Sequence, residues 1–138
     1  MSMNTSIFKA YDIRGIYPTD INAETIAVIG KAVANMFPDG ELVLAYDARH
    51  GSTELVKALA SAISEEATKF DKKFTLVNIG LSTTPMFYFT VCNMKAVGGC
   101  MITASHNPKE YNGIKMVREM GKMIPGTEVL EVINSLQK

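Results

Sequence analysis

The chain has 138 residues, enough for one domain with a buried core, and its hydrophobic fraction of 47% is ordinary for a globular protein. Its 14 basic residues balance its 14 acidic ones, so no whole-chain field would attract nucleic acid or an acidic membrane surface. No apolar run approaches the roughly 20 residues that span a bilayer, and the start lacks the pattern of a secretory signal. These features predict a single cytoplasmic domain over residues 1–138, without nucleic-acid or membrane partners.

The two cysteines, Cys92 and Cys100, are too few for a disulfide framework. Both have apolar neighbours in the sequence, which predicts buried thiols in a reducing compartment. A pair of metal ligands is the less favoured interpretation.

Helical and strand patterns alternate along the chain. Apolar residues recur at helical spacing in four segments, which begin at Ile26 after a capping Asn22, at Leu55 after Ser52 or Thr53, at Thr84-Pro85, and near Thr127. Short apolar runs predict strands at residues 42–46, 74–79 and 100–103, and a return strand at 114–117 follows the turn Tyr111-Asn112-Gly113. This alternation predicts a three-layer α/β/α domain with a mixed, mostly parallel sheet of about four strands.

Polar segments follow three of these predicted strands, at residues 47–52, 80–84 and 104–108. In an open α/β sheet the ligand site lies beyond the carboxyl ends of the strands, so we expect these segments to meet at one edge. Ser105 supplies a hydroxyl there, His106 and Asn107 can donate hydrogen bonds to an anion, and Lys109 and Lys115 are nearby cations. The edge with Ser105 is therefore the candidate site.

The residues alone leave a plainer interpretation open. Ser-His-Asn-Pro is also a good turn sequence, and Asp47 and Arg49 could form an ordinary surface ion pair. Arg14 could be a charged turn residue before Gly15, and residues 86–89 are best explained as helix core. Local chemistry therefore does not separate an active site from a well-formed loop.

Several motifs, taken in order, resemble those of one enzyme family. They are Phe8-Lys9-Ala10-Tyr11-Asp12-Ile13-Arg14-Gly15, Asp47-x-Arg49, Thr84-Pro85, Thr103-Ala104-Ser105-His106-Asn107-Pro108 and Tyr111-Asn112-Gly113-Ile114-Lys115. Over residues 7–117 the chain resembles the first domain of the α-D-phosphohexomutases. The opening Ala-Tyr-Asp-Ile-Arg-Gly is similar to the phosphomannomutase/phosphoglucomutase branch of that family.

The resemblance implies that the parent enzyme is an isomerase, an intramolecular phosphotransferase that exchanges a phosphoryl group between the 1- and 6-hydroxyls of a hexose phosphate, mannose or glucose. Phosphorylated Ser105 would give its phosphoryl group to one hydroxyl, and the hexose 1,6-bisphosphate so formed would reorient and return its other phosphate. Lys115 and Arg14 match positions of proton transfer or phosphate stabilisation, with an electrostatic role favoured for Arg14. His106 and Asn107 would orient the phosphoryl group.

The same resemblance implies that Tyr11 contacts the sugar and that Mg²⁺ is a cofactor. The metal would be bound by Ser105 through its phosphoryl group and by an Asp-rich loop. That metal loop, a sugar-selecting loop and a distal phosphate-binding loop are not found in this sequence. We therefore expect their ligands in the remaining mutase domains, and we expect this N-terminal domain not to turn over alone.

Departures from the family pattern keep other functions open. The family usually has Gly, often followed by Arg or Lys, before its Asp-x-Arg, whereas this chain has Ala and Tyr, which leaves the role of Asp47 and Arg49 structural or undecided. A non-catalytic binding or regulatory domain on the same scaffold is the main alternative function. A serine hydrolase using Ser105 and His106 is disfavoured, because adjacent residues at a strand end point in different directions and no Gly-x-Ser-x-Gly elbow is present.

Overall fold

A six-stranded sheet forms the middle layer of the structure, a computed structural model that describes residues 2–138. Its strands are β1 (Ile13–Ile16), β2 (Gly40–Tyr46), β3 (Phe74–Leu81), β4 (Gly98–Ile102), β5 (Tyr111–Arg118) and β6 (Met123–Ile124). The helices are α1 (Ala23–Met36), α2 (Ser52–Lys69), α3 (Thr84–Asn93) and α4 (Gly126–Leu136), with short 3₁₀ turns at Thr5–Ile7 and Glu119–Gly121. The strand order is β1-β5-β4-β2-β3, and β6 pairs with β5.

The sheet is mixed. β2 pairs in parallel with β3 and β4, whereas β5 pairs antiparallel with β1, β4 and β6. Because α1, α2 and α4 pack on one face and α3 on the other, the predicted three-layer α/β/α class is confirmed. The sheet has six strands rather than about four: β1 contains Arg14 and Gly15, and β6 has only two residues, so neither is a recognisable apolar run.

The alternation of side chains along β2 divides the interior into two cores. Leu42 and Leu44 pack in the larger core under α1, α2 and α4. Val43 and Ala45 pack in the smaller core, beneath Phe87 of α3. A strand covered on both faces needs apolar residues at every position, which explains why β2 was predictable as a continuous apolar run.

Only one side of α3 faces the core. Phe87 is fully buried, but Met86 and Phe89 are 55% and 62% exposed, so the interpretation of residues 86–89 as helix core is wrong for those two. A single helix on this face contacts the sheet along one stripe, and its other side chains face outward. Cys92 on the same helix is exposed, so the predicted burial holds for Cys100 and is wrong for Cys92.

The helix ends follow local signals with small shifts. Asn22 caps α1 as predicted, since its side chain accepts a hydrogen bond from the Thr25 N–H at 3.0 Å. α3 is capped one residue earlier than predicted, by Thr83, and α2 begins after Gly51 rather than after a capping side chain. Within residues 2–138, no helix combines the length and apolarity needed to cross a membrane.

Gly113 is required by the close approach of β5 to β1, where it lies opposite Arg14. A Cβ at this position would lie 2.0 Å from the Ile13 carbonyl oxygen and 2.8 Å from the Arg14 Cα, and both are backbone atoms. We expect Gly113→Ala to lower the free energy of unfolding by about 3 kcal/mol in urea denaturation. The control Thr75→Ala, exposed on edge strand β3, should cost about 1 kcal/mol or less. Equal losses would contradict the tight β1–β5 contact.

The two thiols should differ sharply in reactivity. Burial raises the pKa of the Cys100 thiol, and the thiolate is the reactive species, whereas Cys92 is exposed. We expect iodoacetamide to modify one thiol per native chain and the second only after unfolding, as followed by intact mass. Cys92→Ser should abolish the native-state modification, and rapid labelling of both thiols would disprove the burial of Cys100.

Candidate functional site

The three predicted polar segments meet at the carboxyl ends of the parallel strands. They border an open cleft of about 570 Å³, here called the Ser105 cleft, whose lining comprises Asp47, Ser82, Thr83, Thr84, Pro85, Tyr88, Met101, Thr103, Ser105, His106 and Lys115. The convergence follows from the sheet, because β4 pairs in parallel with β2, and β2 with β3. The placement expected from strand order is therefore confirmed.

Ser105 has a backbone conformation that is unusual for its residue type. Its φ is +56°, in the left-handed region that non-glycine residues rarely adopt. Its N–H donates to the Thr103 hydroxyl at 3.0 Å, and Asn107 donates to the Ala104 carbonyl through both its backbone N–H and its amide. These bonds shape a tight turn, here called the Ser105 loop (residues 103–111). Strained non-glycine backbone of this kind is concentrated at functional sites.

Asp12 holds the two predicted site cations together. Its carboxylate is only 4% exposed and lies 3.6 Å from the Lys115 Nζ and 3.5 Å from the Arg14 Nε. The antiparallel register of β1 and β5 pairs Arg14 with Gly113, and each cation contacts a different oxygen of this carboxylate. Sequence reasoning did not select Asp12 as a site residue, although its position in the Tyr-Asp-Ile-Arg motif was a signal.

Tyr88 is a second residue that sequence reasoning missed. It was assigned to the core of α3, but it lines the Ser105 cleft. Burial, and to a lesser degree the negative charge of Asp12, raises the pKa of the Tyr88 hydroxyl. This hydroxyl is therefore a neutral hydrogen-bond donor at physiological pH. The sequence does not show that it faces the cleft, because that depends on how α3 is rotated against the sheet.

The predicted site residues are divided between neighbouring clefts. Ser105, His106 and Lys115 line the Ser105 cleft. Arg14 and Asn107 line a smaller cleft of about 270 Å³. The Tyr11 side chain is exposed beside Asp12, which links the two groups through its ion pairs.

Asp47 and Arg49 support the Ser105 loop rather than forming a free surface pair. The Arg49 guanidinium donates to the Ser105 carbonyl at 2.7 Å. The Asp47 carboxylate accepts from the Arg49 N–H and from the Ser52 hydroxyl, both at 3.1 Å, at the start of α2. The structure thus gives both residues contacts that their sequence context left undecided.

The described residues do not by themselves form a magnesium site. Within residues 2–138, no three His, Cys, Asp or Glu side chains are grouped to hold a metal ion. Asp47 is the one carboxylate among the residues that line the Ser105 cleft. Because Mg²⁺ requires near-octahedral oxygen coordination, this donor set does not fit the ion without further ligands.

Known proteins resemble this chain in sequence. A family model described as phosphoglucomutase/phosphomannomutase, α/β/α domain I, matches residues 5–138. A phosphohexose mutase of Xanthomonas campestris pv. campestris is 40% identical over 122 residues, which are 88% of this chain and 26% of that protein. A phosphoglucomutase of Neisseria gonorrhoeae is 34% identical over 140 residues, with 99% of this chain and 29% of that protein covered.

The fold is also found among solved structures. A phosphoglucomutase/phosphomannomutase family protein from Burkholderia thailandensis superposes with a TM-score of 0.77 at 30% identity. The superposition covers 99% of this chain and 31% of that one. The chain thus spans less than a third of the length of each of these relatives.

The buried carboxylate of Asp12 should stabilise the fold through its two ion pairs. Asp12→Asn leaves the largely buried Lys115 ammonium, which is 18% exposed, without its counter-ion. We expect the free energy of unfolding to fall by about 1–3 kcal/mol in urea denaturation. The matched control is Asp71→Asn, whose ion pair with Lys73 is exposed, and it should have little effect. A loss no larger than that of the control would show that Asp12 does not anchor the two cations.

Proposed function

Because this chain belongs to the phosphoglucomutase/phosphomannomutase family, as its α/β/α domain I, we propose that it is the N-terminal, phosphoserine-bearing domain of a cytoplasmic hexose-phosphate mutase. The reaction would exchange a phosphoryl group between the 1- and 6-hydroxyls of mannose or glucose phosphate. The observation that carries the proposal is the left-handed Ser105 at the rim of a cleft that also contains His106 and Lys115.

In the proposed reaction Ser105 alternates between a phosphorylated and a free hydroxyl form. In the first half, the bond from phosphorus to the Ser105 Oγ breaks as a bond from phosphorus to a sugar hydroxyl oxygen forms. The proton of that sugar hydroxyl ends on the Ser105 Oγ, which becomes a free hydroxyl. The hexose 1,6-bisphosphate then reorients. In the second half its other phosphoryl group transfers to the Ser105 Oγ, and the serine proton passes to the sugar oxygen that is released. The phosphoserine is regenerated, and the isomeric monophosphate is left.

The surrounding charges suit that role. A phosphoserine carries roughly −1.5 to −2 charges and three acceptor oxygens, which need nearby donors. Lys115 supplies an ammonium in the same cleft and is proposed to transfer a proton or to stabilise the reacting oxygen. Arg14 is proposed to stabilise phosphate by charge, His106 and Asn107 to orient the phosphoryl group, and Tyr11 to contact the sugar.

Mg²⁺ is proposed as the cofactor, with the phosphoryl group on Ser105 as one ligand and the remaining ligands outside this chain. When bound, it would neutralise charge on the transferring group. Since the described carboxylates do not complete a metal site, the chain is proposed to need the remaining mutase domains for turnover. The hexose phosphate and the bisphosphate are therefore ligands of the assembled protein.

Ser105→Ala should abolish the reaction in the gene product that contains this chain. The variant has no oxygen to carry the phosphoryl group, so we expect mutase activity on mannose 1-phosphate and glucose 1-phosphate to fall at least about 1,000-fold. Tandem mass spectrometry of the active wild-type protein should locate a phosphate on Ser105.

The control for this experiment is Ser64→Ala, an exposed serine on α2 that is remote from the Ser105 cleft, and it should retain full activity. Unmodified Ser105 in an active protein would overturn the proposal. Full function of the Ser105→Ala protein in binding a partner, with no mutase activity in the wild type, would instead identify a non-catalytic binding domain.

A further inference from the structure

Arg49 directs both terminal nitrogens of its guanidinium group at the backbone around Ser105. Nη2 donates to the carbonyls of Ser105 at 2.7 Å and Asn107 at 2.6 Å. Nη1 donates to the carbonyls of Pro108 at 2.8 Å and Tyr111 at 3.1 Å. Four N–H groups thus meet four carbonyl oxygens, and a guanidinium has only one further N–H, on Nε.

The remaining donor of Arg49 forms an ion pair with Asp47, and its main-chain N–H donates a hydrogen bond to the same carboxylate. The Nε lies 3.6 Å from the Asp47 Oδ2, and the Arg49 N–H donates to Oδ1 at 3.1 Å. The Asp47 carboxylate is tied in turn to the Ser52 hydroxyl at the first turn of α2. Because the Arg49 side chain is only 16% exposed, it is a fixed part of the scaffold and has no free donor directed at the Ser105 cleft.

The acceptors of Arg49 lie on a loop that needs external support. Ser105 has a φ of +56°, and such a conformation costs a non-glycine residue about 1–2 kcal/mol, so it persists only where neighbouring contacts determine it. The four carbonyls belong to residues spread along the turn, and the planar fork of Arg49 binds all of them. A point-like ammonium at the same place could not reach all four oxygens.

From these contacts we infer that Arg49 is a positioning residue for phosphoryl transfer, one that holds Ser105 in its left-handed conformation and does not bind the substrate phosphate. The expected effect on catalysis rests on the proposed function, whereas the positioning of Ser105 by Arg49 does not. A nucleophile displaced by about 1 Å loses roughly 100-fold in rate, so the effect of losing Arg49 falls on kcat. Substrate affinity depends on other groups and is retained.

The test uses Arg49→Lys in the gene product that contains this chain. We expect kcat to fall about 100-fold, with KM for the hexose phosphate changed less than about threefold. The matched control is Arg118→Lys, the last residue of β5, which pairs with Gly98 at the end of β4 away from the Ser105 cleft. Its side chain contacts Glu128, and the variant should keep its kcat. A rise in KM with unchanged kcat would overturn the inference, because it would indicate a phosphate ligand.

A second measurement does not depend on activity. Amide hydrogen exchange should become at least about tenfold faster at Asn107 and Tyr111, whose N–H groups bond within the loop, while α1 stays protected. Unchanged exchange at these two amides would overturn the inference. If Arg49→Lys does not fold, Arg49→Gln, which retains one NH₂ group, is subject to the same two measurements. A wild-type protein without mutase activity would remove the proposed function, but faster loop exchange in the variant would still support the positioning of Ser105.

Discussion

The pairing of β4 with two different partners determines the geometry of the site. On one side β4 runs parallel to β2, with Met101 opposite Ala45, and on the other it runs antiparallel to β5, with Met101 opposite Lys115. Two further bonds extend this register past the strand end, from the Asp47 N–H to the Ile102 carbonyl at 3.1 Å and from the Thr103 N–H to the Gly113 carbonyl at 2.9 Å. A one-residue slip would turn every side chain of β4 to the other face and separate Ser105 from its neighbours.

Two charged residues stabilise the site that the strand pairing forms. Arg49 supports the backbone on one side of Ser105 through carbonyl oxygens. Asp12 supports the cations on the other side through its carboxylate. Because four N–H groups of Arg49 bind carbonyls and the fifth lies beside Asp47, this guanidinium does not compete with Arg14 and Lys115 for Asp12. Lys115, which lines the Ser105 cleft, therefore keeps its ion pair with Asp12.

The two faces of the sheet are covered unequally, and this affects how the site is built. Three helices bury one face, whereas α3 alone covers the face nearest the Ser105 cleft. Thr83 and Thr84 at the start of α3 and Tyr88 one turn later consequently line the cleft, while Met86 and Phe89 remain exposed. The helix that lines the Ser105 cleft is thus also the helix that packs on the smaller of the two cores.

The sequence by itself determined the features that depend on neighbouring residues. Apolar runs predicted β2 and β4, Asn22 predicted the start of α1, and the order of polar segments after the strands predicted where Ser105 would lie. The ordered motifs also predicted the family. Each of these signals is contained in a short stretch of chain, in which side-chain type and spacing decide the local conformation.

Only the tertiary structure decided which groups meet across the chain. The bonds of Arg49 to the Ser105 loop join residues separated by 56 to 62 positions, and their acceptors are backbone carbonyls, which every residue possesses. The role of Asp12 depends on the register of β1 with β5, and β1 was not recognisable as a strand. The motifs mark Asp12 and Arg49 in the sequence but do not show which groups they contact, because strand pairing and a shared core create those contacts.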